Sequence, residues 1–293
     1  MDEYRLGGLL LRWDDGGFPL LGGGNMEGFR YSGGPVSAVI TLRGRIAPLG
    51  PLLQRPCLQR GEVFDRYEME GEPLLVYHWG HLRDGFAVLP GRIGPEGGAA
   101  CLFDPEMRRQ VPLPADWFFG VSGLHRALLY HRAPILHAAF IEWKGRAILF
   151  TAPSQTGKST QAELWHRYAG AGIVNGDRVL LRREASGWLA CGYPCCGSSG
   201  VCLDRTLPLG AIVVLEQGQE DRVEKPAEAK TVTALAAGMQ IYPWERQEVD
   251  RAFQAAVDLA SEVPVVKLVC TPTRRAVEAL RAYLEVTWCD DSL

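Results

Sequence analysis

The chain has 293 residues, of which 47% are hydrophobic and 22% charged, and its net charge is −3. Such a composition suits a globular protein of one large domain or two modest ones. Without a basic excess there is no global pull toward nucleic acid or an anionic membrane, and no apolar run approaches the roughly 20 residues of a bilayer span.

The opening stretch, MDEYRLGGLLLRWDDGG, lacks a basic segment followed by a long apolar one. No signal peptide is expected, and a cytoplasmic location follows by default. Glycine punctuates the first hundred residues in GGFPLLGGG, SGGP, LRGR and GRIGPEGG. Between these lie short β-type segments at residues 36–42, 74–79 and 86–89. The pattern predicts an antiparallel sheet or small barrel-like module over residues 1–115. None of the glycine clusters is followed by a lysine and a helix, so they read as turns. Composition shifts near Pro112 and Pro114, and residues 116–293 are expected to form the second domain. It opens with a helix over residues 116–130, carrying Val121, Leu124, Leu128 and Leu129 on one face.

Two strands, residues 135–143 and 146–151, are joined by Lys144-Gly145, a hairpin signature. A helix over 159–168 has Ala162 and Trp165 on one side and is stopped by Gly170 and Gly172. A strand pair follows at 173–182 and 188–193, then the small-residue loop PCCGSSG at 194–200. Strands at 211–216 and 263–270 alternate with helices at 227–240, 245–261 and 273–284. Strands of parallel type mixed with helices predict an α/β nucleotide-binding core.

The segment 147–160, AILFTAPSQTGKST, carries the most chemistry. An apolar strand breaks into a polar turn that ends in Gly157-Lys158-Ser159-Thr160 and runs into a helix. In that context backbone N–H groups and a helix N-terminus cradle phosphates, the lysine reaches the outer phosphates, and the serine hydroxyl meets Mg²⁺. Ser154, Gln155, Thr156, Gly157, Lys158, Ser159 and Thr160 are therefore the expected nucleotide-binding residues. The first position of the full phosphate-loop pattern is Ala152 rather than glycine.

Three features surround the loop. His137 lies on the strand that the hairpin folds back beside the loop. Asp177, in IVNGDRVLL, follows the loop by about twenty residues at a strand end, where a carboxylate can hold Mg²⁺ or take a hydroxyl proton; the competing reading is an Asx-type turn beside Gly176. Arg178 suits either phosphate or a surface ion pair, and Gly197-Ser198-Ser199-Gly200 either a substrate-approach loop or a plain turn. Among eight cysteines, Cys195 and Cys196 are vicinal, which suits a redox pair or a soft-metal site, but no C-x-x-C spacing occurs, and reduced thiols used as small apolar residues are the expectation. Arg205, Arg274 and Arg275 are undifferentiated candidates for a phosphate clamp.

The order LHAAFIEWKGRAILFTAPSQTGKSTQAELW…GIVNGDRVLL resembles the catalytic domain of the HPr kinase/phosphorylase family. The resemblance is specific over about residues 134–183. It implies a P-loop, phosphoenolpyruvate-carboxykinase-like α/β core behind the β-rich N-terminal module. It also implies Lys158 on the outer phosphates, Ser159 and Asp177 on Mg²⁺, and His137 beside the transferred phosphoryl group. The chain is more similar to divergent relatives found beside ribosomally made peptides than to the HPr enzyme. It departs from the family where paired aspartates are usual: the first is Gly176, and only the second, Asp177, is kept. Ala152 and Gln155 stand where loop glycines are usual, and the segment supporting phosphorolysis is not recognisable. The leading expectation is an ATP-dependent kinase acting on a hydroxyl of a peptide, protein or small molecule, with Lys158, Asp177 and His137 as its catalytic residues. The alternative is a nucleotide-binding accessory protein of a peptide-modification system without kinase chemistry. A third is a small NTPase.

Overall fold

The computed structural model describes residues 1–22, 24–79, 82–89, 97–109 and 113–290. Gly23, Pro112 and most of the GRIGPEGG cluster lie outside the described residues. The chain divides into two compact units, Met1–His131 and Arg132–Leu293. The division falls at 131/132, later than the 115/116 boundary expected from composition, because the segment after Pro114 packs with the first unit.

The first unit is built on a sheet. Its strands are β1 (Asp2–Leu6), β2 (Leu9–Asp14), β3 (Ala38–Ile46), β4 (Phe64–Met69), β5 (Glu72–Trp79), β6 (Leu82–Leu89) and β7 (Gly97–Phe103), with helices α1 (Gly50–Leu53), α2 (Ala115–Val121) and α3 (Leu124–Tyr130). Seven strands lie in the order β1-β2-β3-β7-β6-β5-β4. The apolar start of the chain is the hairpin β1–β2, whose alternating residues bury Leu6, Leu9, Leu11 and Trp13. The antiparallel sheet expected from the sequence is in fact mixed, since β3 runs parallel to both β2 and β7. Trp13, Phe18, Phe86, Phe103, Phe118 and Phe119 are buried together, with Phe18 stacked on Phe103 at 4.2 Å. The single helix expected over 116–130 is two short ones. Gly123, at φ 79°, turns the chain between them and lets each bury its own aromatic or leucine face.

The second unit holds the segment 147–160. Its elements are β8 (Ile135–Trp143), β9 (Arg146–Thr151), α4 (Lys158–Ala169), β10 (Gly172–Asn175), β11 (Arg178–Glu184), β12 (Gly187–Cys191), β13 (Thr206–Gln217), β14 (Arg222–Glu224), α5 (Glu228–Gly238), α6 (Arg246–Glu262), β15 (Val265–Cys270) and α7 (Arg274–Asp290). Lys144 and Gly145 both take positive φ, 49° and 73°, the mirror-image turn that matches the twist of a tight hairpin. The hairpin register pairs Trp143 with Arg146 and Ala138 with Thr151, so the far end of β8 stands beside the end of β9. One expected strand, 173–182, is two: β10 and β11 both run antiparallel along β8, interrupted at Gly176-Asp177. β13 runs parallel to β9 and to β15, and antiparallel to β12. The pairings close on themselves, from β8 through β11, β12, β13 and β9 back to β8.

Alternation along the central strands fills two cores. Leu136, Ala138 and Phe140 of β8 and Leu149 of β9 pack with Leu235 of α5 and Ala252, Ala256 and Leu259 of α6. Ala139, Ile141, Ile148 and Phe150 face the other way, onto Trp165 of α4 and Leu280 and Leu284 of α7. Central strands buried on both faces read as continuous apolar runs, which is why VVLE- and AILF-type segments were visible in the sequence. Trp165 is fully buried and anchors the loop helix to β8 and β9. Trp165→Ala is expected to destabilise the second unit by about 3–5 kcal/mol, measured by urea unfolding.

Candidate functional site

The strand–turn–helix segment folds as its sequence predicts. β9 ends at Thr151, the turn 152–157 follows, and α4 starts at Lys158 with Gly157 as its N-cap at φ 110°. Ser154 and Gln155 are exposed on the turn, and Thr156 and Gly157 half-buried. Gln155, a non-glycine residue, takes φ 65°. Such a conformation costs about 1 kcal/mol and is imposed here by the tightness of the turn. The Lys158 ammonium is folded back into the turn, donating to the carbonyl oxygens of Ala152 at 3.0 Å and Pro153 at 3.1 Å. Burial lowers its pKa, and the nearby Asp177 carboxylate works the other way. Ser159 Oγ donates a long bond, 3.4 Å, to the carbonyl of Gly176. Thr160 is exposed in the first turn of α4 and lines a hollow with Glu163, Leu164, His166 and Arg167.

Sheet register supplies the opposite wall. Arg178 pairs with His137 across β11 and β8, while Thr151 Oγ1 donates to the His137 carbonyl at 3.0 Å. His137 and the loop therefore meet at one end of the sheet. His137 Nε2 lies 3.1 Å from Asp177 Oδ1, and Arg178 Nε lies 3.2 Å from Asp177 Oδ2. The bond to His137, and then the charges of His137 and Arg178, hold the Asp177 carboxyl below the usual carboxylate range, against burial that pushes it up. Nε2 faces the carboxylate as a donor, so the tautomer that this contact favours has Nδ1 as its acceptor nitrogen. Arg178 is thus an ion-pair partner of Asp177, and its second donor, Nη1, goes to Gln240 Oε1.

Three residues of the site were not singled out from the sequence. Asn175 is completely buried and uses all its hydrogen-bonding capacity. Its Oδ1 accepts the N–H groups of Asp177 and Arg178, each at 2.9 Å, and its Nδ2 donates to the carbonyls of Tyr193 at 2.6 Å and Cys195 at 3.2 Å. The Asx turn at this corner is therefore made by Asn175, which leaves the Asp177 carboxylate to face His137. Gln240, just beyond α5, braces Arg178. Gln217, at the end of β13, donates long bonds to the carbonyls of Gln155 and Thr156 at 3.4 and 3.5 Å. The turn made by Asn175 is a local pattern that the sequence offered, while its bonds to Tyr193 and Cys195 and the brace from Gln240 are tertiary; Gln217 was within reach, since parallel pairing of β13 with β9 puts its end beside the loop.

Arg205 is removed from the list of clamps. It forms a two-pronged pair with Glu142 near the Lys144–Gly145 turn, at the opposite end of β8 from His137. Arg274 pairs with Glu278 within α7. No disulfide forms among the eight cysteines, and no group of three or more His, Cys, Asp or Glu among the described residues is placed to hold a metal. The carbonyls of Cys195 and Cys196 accept from Asn175 Nδ2 and Ser199 Oγ, and the Cys196 thiol reaches the Gly197 carbonyl at 3.8 Å.

Fold and site together define a mixed α/β protein with a lysine-bearing strand–turn–helix opposite a His–Asp pair. Residues 122–283 match the model of the family described as "SynChlorMet cassette protein ScmC". This is more than half of the chain, and the chain belongs to that family. No curated protein matches it. Among solved structures it is similar to the Hpr(Ser) kinase/phosphatase from Coxiella burnetii, at 15% identity and a TM-score of 0.31, over 54% of this chain and 96% of that one. At that score the likeness carries no argument about function. No helix among the described residues is long and apolar enough to cross a membrane.

Two predictions follow from the wiring of Asp177. Asn175→Ala strands buried donors and acceptors, and is expected to cost more than about 2 kcal/mol in urea unfolding. A carboxyl whose folded pKa lies below its ordinary 3.8 stabilises the fold above that value and loses its contribution as pH falls through the lower folded value. Asp177→Asn is therefore expected to lower stability at neutral pH and flatten the acid limb of the stability–pH curve.

Proposed function

We propose that the chain binds a nucleoside triphosphate, ATP, on the 152–160 turn and transfers its terminal phosphoryl group to a hydroxyl of a peptide, protein or small molecule. The observation that carries this reading is the meeting of the Lys158 turn and the His137–Asp177 pair at one end of the sheet. In the free protein the Lys158 ammonium is satisfied by two backbone carbonyls; a phosphate oxygen offers the same cation a full charge and a stronger bond. The N–H groups of the first turn of α4 face the same anion.

Ser159 Oγ and the Asp177 carboxylate fit Mg²⁺, being hard oxygen donors, with water completing the shell. Held by these two residues, Mg²⁺ would supply charge neutralisation for the outer phosphates. The remaining work falls to the chain. Asp177, with its low pKa, is a poor proton acceptor; it orients His137. His137 Nδ1 is the acceptor for the proton of the incoming hydroxyl, and Asp177 stabilises the imidazolium that results. The new bond joins the acceptor oxygen to the terminal phosphorus as the bond to the leaving diphosphate oxygen breaks.

One observation favours a second reading, a nucleotide-binding accessory protein. Residue 176 is glycine, with no carboxylate of its own, and the Ser199 side chain occupies the space beside it. Incubation with γ-labelled ATP and a pool of hydroxyl-bearing peptides separates the two. Label on an acceptor, lost in His137→Ala and Asp177→Asn, is the expected outcome; nucleotide binding with no transfer selects the accessory role. Lys158→Ala is expected to weaken Mg·ATP binding at least about tenfold by calorimetry while leaving the fold intact. Unchanged affinity in that variant would sink both readings.

A further inference from the structure

The loop at 194–200 closes directly on the Gly176–Asp177 corner. A β-carbon on residue 176 would overlap both Cβ and Oγ of Ser199, and would lie 3.6 Å from the carbonyl oxygen of Cys196. A β-carbon on Gly197 would meet Asp177 Cβ and Cγ at 3.0 Å, so the backbone of residue 197 stands directly behind that carboxylate. The loop is fastened from within. Ser199 Oγ donates to the Cys196 carbonyl at 2.7 Å and accepts the Val201 N–H at 3.3 Å, which fixes its rotamer over Gly176. Its base is tied to the same corner by Asn175 through the carbonyls of Tyr193 and Cys195.

We propose that Ser199 is a positioning residue of this site: it fills the volume that a side chain on residue 176 would take, latches the 194–200 loop shut, and so holds Gly197 behind Asp177 with its carboxylate aimed at His137. The inference rests on reading His137 and Asp177 as the reacting pair. It gives glycine at 176 a positive role. Any side chain there competes with Ser199 for one space, and the loser is the loop. An aspartate added at 176 alone would displace the latch rather than supply a base.

Cys196 reports on the latch, since it is only 5% exposed and its carbonyl receives the Ser199 hydroxyl. The full chain is treated with iodoacetamide and alkylation of Cys196 is followed by peptide mass spectrometry. Gly176→Ala is expected to raise the rate at least about tenfold, and Ser199→Gly several-fold. In the double variant Gly176→Ala/Ser199→Gly the 176 side chain has nothing left to displace, so its rate is expected to match that of Ser199→Gly alone rather than exceed it. The ¹⁵N spectrum of the His137 ring gives the second reading. The Nε2–H tautomer set by Asp177 is expected in the wild type, mixed tautomers in Gly176→Ala, and in the double variant the same pattern as in Ser199→Gly alone. Cys196 as protected in Gly176→Ala and Ser199→Gly as in the wild type, or a double variant in which the two effects add, overturns the proposal. Calorimetry with Mg·ATP on the same samples keeps the two questions apart. Absent heat with an intact latch response counts against nucleotide binding alone, and heat without the latch response counts against Ser199 alone.

Discussion

The carboxamide of Asn175 is the constraint on which the site depends. One buried side chain binds four backbone groups drawn from two segments, the Asp177 corner and the start of the 194–200 loop. A fully satisfied buried amide of this kind is stabilising, and a half-satisfied one is costly, so the corner has one arrangement and not a family of them. That arrangement interrupts the strand that would otherwise run from β10 into β11. The interruption is what turns Asp177 toward His137.

The β8 strand supplies the other half of the geometry. It pairs with β9 on one edge and with β10 and β11 on the other, so the residues at its end are placed by hydrogen bonds on both sides. His137 owes its position beside Thr151 and Asp177 to this double pairing. Burial of alternate β8 residues in two different cores holds the strand against slipping, because a shift by one residue would send Phe140 and Ile141 to the wrong faces.

The parts that could be read in the sequence are those set by local rules. The Lys144-Gly145 turn, the apolar run of β9, the glycine-lysine step into α4 and the stop at Gly170 are all local, and each stands where its pattern put it. The strand break at Gly176 was legible in part: Asp177 read as a strand end with an Asx-type turn beside it, but the residue that makes the turn is Asn175. The parallel pairings of β3 were not legible, because register between distant strands leaves no periodic mark. Ser199 looked like one small residue among several. Its importance appears only when Gly176 lies beneath it.

The closed circuit of strands in the second unit bears on how this unit behaves in company. A sheet that returns on itself offers few unpaired backbone groups to a neighbour. Among the described residues, the outer strands are β10 and β14, of 4 and 3 residues. Margins that short are poor templates for another chain's main-chain ladder, and the antiparallel bridge from Asn175 to Cys202 already shields one of them. Aggregation through strand addition is thereby discouraged.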